Sequence, residues 1–187
     1  MIRIAATVAL LALGGSGWAS TPPQSPAGGP PRLDDPSPSG PHEITRSGRG
    51  AYEASVTSAG GGFAVAWHDT RDGHPEIYSR LLDKRGEPTG PERRMTTGVD
   101  RAYEPEIAVV GANLAIAWYE VAANQTSHAM LGLFSRDGRR LWAKALALPE
   151  RVSKNPVVRA TRNEIFCAWL AENAARDFEV YAAWFDA

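Results

Sequence analysis

Between Trp67 and Tyr78 the chain sets Trp67-His68-Asp69-Thr70-Arg71-Asp72-Gly73-His74-Pro75-Glu76-Ile77-Tyr78, a dense run of acids, bases and aromatic rings. Side chains of these types support three kinds of chemistry. Two carboxyl groups facing each other across a glycosidic bond cleave it, and their separation sets the stereochemical outcome. Asp69, Asp72 and Glu76 offer oxygen ligands to Ca2+, although the run lacks the D-x-[DN]-x-[DN]-G spacing of a calcium loop. Tyr, Asp, Arg and Asn together stack on and hydrogen-bond to sugars. Against these stands a structural role, because aspartates beside glycine ordinarily form turns, and Asp69 with Arg71 makes a turn-stabilising pair. No cofactor is expected, with calcium the secondary reading. His42, His68, His74 and His128 lack the spacing of a zinc site. Cys167 is the single cysteine, so an internal disulfide is excluded and the thiol reads as a small core hydrophobe.

The elements that must position these residues come from a repeat. Trp67, Trp118 and Trp169 stand 51 residues apart, as do Ile44, Met95 and Leu146. Tyr52-Glu53 recurs as Tyr103-Glu104, and Pro105 recurs as Pro156. Periods of about 40 to 50 residues with β patterning mark propeller blades. Each copy alternates large and small residues: Phe63, Val65 and Trp67 against Ala64 and Ala66, then Leu114, Ile116 and Trp118 against Ala115 and Ala117, then Ile165, Cys167 and Trp169 against Phe166 and Ala168. That is a central strand covered on both faces. Shorter strands are expected before it (Ser55–Thr57, Glu106–Val110, Val157–Ala160) and after it (Ile77–Leu82, Ala129–Phe134, Val180–Phe185). A fourth is expected at Arg93–Thr96 and Leu141–Leu146. Trp142–Leu148 and Ala171–Trp184 have fair helix propensity, but equivalent repeats share a structure, and the first copy reads as strand. The fold class is all-β, a β-propeller of three four-stranded blades of about 51 residues.

The run from Trp67 to Tyr78 resembles the W-x-D-x-R-x-G-x-x-E-I-Y repeat of secreted bacterial β-propellers that look sialidase-like. The second copy keeps Trp118 and Glu120, and the third keeps Trp169, Glu179 and Tyr181. Ser135-Arg136-Asp137-Gly138-Arg139-Arg140-Leu141-Trp142 echoes the sialidase Asp-box with its glycine one place early, a fold feature rather than a catalytic one. The resemblance implies a propeller over residues 42–187 and a glycan-handling architecture. By resemblance a sialidase would also need an arginine cluster and a tyrosine nucleophile.

Blade topology collects one set of loops on one face: 68–74, 120–127, 49–53, 100–104 and 153–155. Functional residues concentrate on loops held by a rigid scaffold. The candidate ligand-binding set is therefore Tyr52, Glu53, Asp69, Arg71, Asp72, His74, Tyr103, Glu104, Glu120 and Asn155, with no catalytic and no metal residue assigned. The expected function is non-enzymatic binding of a glycan or protein. The alternatives are a sialidase-like glycoside hydrolase and a structural propeller fragment of a larger protein.

Residues 1–19 read as a secretory signal: Arg3, an apolar run from Ile4 to Leu13, and Gly17-Trp18-Ala19 as the cleavage site. The run is too short to span a bilayer, so no membrane span is expected after cleavage, and the protein would be secreted or periplasmic. Residues 20–41 carry eight of the fourteen prolines and read as a disordered spacer. Lys+Arg total 20 against Asp+Glu 21, which gives no basic field for nucleic acid. The body then divides into a closing strand at 42–48 and blades at 51–98, 102–148 and 153–187. The third copy stops after its third strand, while Gly40–Gly48 resembles Gly90–Gly98, the fourth strand of the first copy. Two arrangements follow: a homodimer in which each amino-terminal strand completes the partner's last blade to give a six-bladed ring, or a piece of a longer product.

Overall fold

A computed structural model describes residues 41–148 and 150–187; the expected signal and nearly all of the proline-rich spacer lie outside these residues. Every alternating segment is a strand, and the described residues contain no helix. Sheet I comprises β1 (Ala51–Ser58), β2 (Phe63–Asp69), β3 (Glu76–Leu82) and β4 (Arg93–Arg94). Sheet II comprises β5 (Arg101–Val110), β6 (Asn113–Val121), β7 (Ser127–Ser135) and β8 (Arg140–Ala145), and sheet III β9 (Ser153–Ala160), β10 (Glu164–Glu172) and β11 (Phe178–Asp186). Each sheet is an antiparallel meander, of four, four and three strands. The two Ala-rich segments with helix propensity are strand and turn, because cross-strand packing outweighs a propensity difference of a few tenths of a kcal/mol per residue.

The large-against-small alternation explains how the sheets stack. Ala64 and Ala66 of β2 share one core with Leu114, Ile116 and Trp118 of β6, and Ala115 and Ala117 of β6 share a second with Ile165, Cys167 and Trp169 of β10. Small residues on one sheet make room for large ones on the next, which brings β5 against sheet I and β9 against sheet II. The Trp118 and Cys167 side chains are fully enclosed, and burial pushes the Cys167 thiol up to about 12, where it is inert. Two outward faces remain. That of sheet III leaves Val180 75% and Trp184 59% exposed.

Residues 41–50 form no ladder in the single chain but lie along sheet I. Arg80 Nη1 donates to Ile44 O at 2.6 Å, Arg71 Nη2 to Thr45 Oγ1 at 2.9 Å, and Ser47 Oγ to Asp69 Oδ1 at 2.7 Å.

Candidate functional site

Each first strand starts earlier than alternation indicates, and the reason is a bulge. Tyr52 pairs His68 and Ser55 pairs Ala66, so Glu53 and Ala54 together face Trp67. The same two-against-one step sets Glu104 and Pro105 opposite Trp118, and Asn155 and Pro156 opposite Trp169. A bulge leaves one residue unpaired, which suits the prolines, since they have no N–H to lose. Residues 51–53, 101–104 and 153–155, expected in loops, are thus strand continuing beyond the bulge.

The bulge forces an unusual backbone. Glu53, Glu104 and Asn155 have φ of 54°, 48° and 48°, a left-handed conformation that costs a non-glycine residue about 1–2 kcal/mol. These three left-handed residues sit at the same point of the three repeats. They converge on one cleft of about 310 Å³, lined also by Ala54, Pro105, Glu106, Pro156 and Val157. Asn155 Nδ2 donates to Glu104 Oε2 at 3.1 Å, and the Tyr119 hydroxyl donates to Glu104 Oε1 at 3.3 Å.

A row of rings runs beside the cleft. Tyr52 stacks on His68 at 5.3 Å, His68 meets the edge of Tyr103 at 5.2 Å, and Tyr103 stacks on Tyr119 at 5.6 Å. Tyr103 thereby joins sheet II to sheet I. His68 Nδ1 lies 3.1 Å from Glu53 Oε2 without the alignment of a hydrogen bond. Burial holds its imidazole below the usual value, against the pull of Glu53, Glu104 and Asp69, so it is uncharged at neutral pH. Burial and the Glu104 carboxylate push the Tyr119 phenol up to about 12, which keeps it a hydrogen-bond donor and a poor nucleophile.

Half of the expected set lies elsewhere. Asp69, at the end of β2, is fully buried and accepts from Trp67 Nε1 at 3.2 Å, Arg71 Nη2 at 2.6 Å and the Arg71 amide at 2.8 Å. Burial alone would raise its carboxyl, but Arg71, Ser47 and Trp67 outweigh that and hold it at about 2. Arg71 also grips Glu92 and covers the Tyr78 ring at 4.5 Å. Asp72 accepts from the Tyr78 hydroxyl and lies 3.1 Å from Arg94 Nη1. His74 Nε2 is 3.6 Å from the buried Glu76, which Arg94 and Thr96 hold. Asp69, Asp72 and Glu76 are therefore divided among guanidinium and hydroxyl partners rather than gathered around a point, and no cluster of three metal-ligating groups occurs among the described residues. Glu120 occupies a third place, accepting from Trp118 Nε1 at 3.0 Å, its carboxyl raised by burial.

The structure thus brings together Tyr52, Glu53, Tyr103, Glu104 and Asn155, and separates them from Asp69, Arg71, Asp72, His74 and Glu120. Sequence reasoning missed His68 and Tyr119 as members of the ring row. Their signal was alternation: each follows a repeat tryptophan and so points to the opposite face from it. No family model matches the chain, and none of the curated proteins compared with it does.

Proposed function

We propose that the protein is an exported β-propeller half that binds neutral glycans at the Glu53–Glu104–Asn155 cleft. The observation that carries this reading is the convergence of three strained polar residues, one from each repeat, on one open cleft beside a row of tyrosines. Strain of this kind persists where surrounding structure over-determines it, and it concentrates at functional sites. Carboxylates are acceptors only, while Asn offers both a donor and an acceptor, a combination suited to vicinal sugar hydroxyls, with Tyr52 exposed for stacking on a pyranose face. Two carboxylates disfavour an acidic sugar. Arg71, the residue a sialidase-like site would need for a sialate carboxylate, is held by Asp69 and Glu92.

The propeller reading is supported by three stacked meanders in register with the 51-residue repeat, and by a second feature of the junctions. Met95 N donates to Ile77 O between strands three and four of sheet I, and Leu146 N donates to Ala129 O at the same point of sheet II. The corresponding residues for sheet III are Ile44 and Val180, both in this chain. In a dimer Ile44 of one copy pairs with Val180 of the other, which adds the fourth strand at the β11 edge, while sheet I of that second copy stacks on the exposed face of sheet III to complete six blades. The signal expected at residues 1–19 and the proline-rich run after it support an assembly outside the cytoplasm.

A glycan array separates the readings. Neutral oligosaccharides are expected to bind and sialylated ones not, with Glu104→Gln and Asn155→Ala each weakening binding about tenfold, the worth of one hydrogen bond. Absence of neutral-glycan binding would refute the proposal. Hydrolysis of a fluorogenic glycoside, lost in Glu104→Gln, would make the cleft an active site instead.

A further inference from the structure

The repeat lets each position between sheets I and II be compared with its counterpart between sheets II and III. In the first copy Asp69 accepts the Trp67 Nε1 proton at 3.2 Å, and in the second Glu120 accepts that of Trp118 at 3.0 Å. In the third copy the acid is replaced by Ala171. Trp169 is only 8% exposed, and its Nε1 is buried with no partner. Buried N–H groups in folded proteins are paired, and leaving one unpaired is costly.

The missing acid also leaves space. The same 51-residue step turns Arg94 into Ala145 and Thr96 into Ala147, so three side chains around one indole are cut back to methyl groups. A cavity of about 420 Å³ results, lined by Ala145, Ala147, Arg151, Trp169, Ala171 and Tyr181 among others. That is the size of a small-molecule site. The local charge inverts as well. Asp100, whose charge reaches Glu120, is replaced one repeat later by Arg151. Arg151 uses Nη1 on Glu172 O at 3.1 Å, and a guanidinium keeps further N–H groups to donate. The Glu172 carboxylate at the cavity wall is neutralised by Arg176 Nη1 at 2.7 Å.

We propose that this cavity binds a small carboxylate with a short apolar or aromatic body. One carboxylate oxygen accepts the Trp169 Nε1 proton, as Asp69 does for Trp67, and the other faces Arg151. The body lies over Ala145, Ala147 and the Tyr181 ring. The site shares no residue with the Glu53–Glu104–Asn155 cleft and stands independently of the glycan reading.

The test follows indole N–H signals of the whole protein in a ¹H–¹⁵N spectrum, with the Trp169 signal assigned by its loss in Trp169→Phe. Sodium benzoate is expected to shift that signal saturably and to leave those of Trp67 and Trp118 in place, while benzyl alcohol does not shift it. Arg151→Gln is expected to weaken the response about tenfold. Ala171→Asp, which supplies an internal acceptor, is expected to abolish it. No saturable benzoate shift, an equal response to benzyl alcohol, or a response that survives Ala171→Asp in a protein whose Trp67 and Trp118 signals are unchanged would each overturn the assignment. If Ala171→Asp disturbs those reference signals, Arg151→Gln decides, and undiminished binding there refutes the carboxylate role.

Discussion

Glu53, Glu104 and Asn155 hold a backbone conformation that glycine would adopt at lower cost, so their side chains are retained against a conformational penalty. The expectation for Glu53→Gly is therefore a split result: stability unchanged or raised by up to about 1 kcal/mol, with glycan binding lost. Denaturant titration beside array binding checks it, and a loss of stability would show that Glu53 is structural. Asp69 predicts the opposite pattern. Its carboxyl is lowered from 3.8 to about 2 in the fold, so its contribution, about 2 kcal/mol, is complete above pH 3.8 and is lost as pH falls toward 2. Asp69→Asn should cost about 3 kcal/mol at neutral pH, since it leaves Arg71 without its buried partner, and should flatten the acid limb of stability. Glycan binding by the folded variant should be unchanged. Measurement of unfolding free energy from pH 7 to 2 distinguishes the two.

At the scale of the element, alternation revealed the central strands because large residues on one face and alanines on the other repeat at a fixed step. The bulges were not legible. Nothing in Tyr52-Glu53-Ala54 announces a left-handed residue, and only the recurrence of Pro105 at Pro156 hinted that one ladder position was vacant. That is why Tyr52, Glu53, Tyr103, Glu104 and Asn155, expected in loops, are presented by the bulged first strands. The most distinctive stretch, Trp67 to Tyr78, proves to be a network tying β2 to β3 and β4. Packing at sheet centres is tight. A Cβ at Gly132 would come within 2.7 Å of Phe134 Cε2 and 3.0 Å of Trp118 Cη2. Gly132→Ala should destabilise the protein by about 1–3 kcal/mol, measured by thermal or denaturant unfolding; a neutral effect would mean that the core between sheets I and II is looser than described.

For the whole molecule, the stack of three sheets has two unlike outward faces. One, on sheet I, carries Phe63, Val65 and Trp67, with Ile44 and Thr45 bonded to Arg80 and Arg71 of that sheet and its loop, and the other carries Phe178, Val180 and Trp184 of sheet III in the open. Inside the chain, faces of these two kinds are the ones that meet at both junctions. Exposed apolar area of this extent marks an interaction surface, and β11 offers it together with an unpaired strand edge. The repeat was legible in the sequence, but how sheet III is covered depends on a second surface that sequence periodicity does not specify. The most direct test is the molar mass of the protein in solution, by light scattering at micromolar concentration. Two chains per particle are predicted, falling to one in a folded Trp184→Lys variant; a wild-type particle of one chain would contradict the ring and remove the basis for a shared binding face.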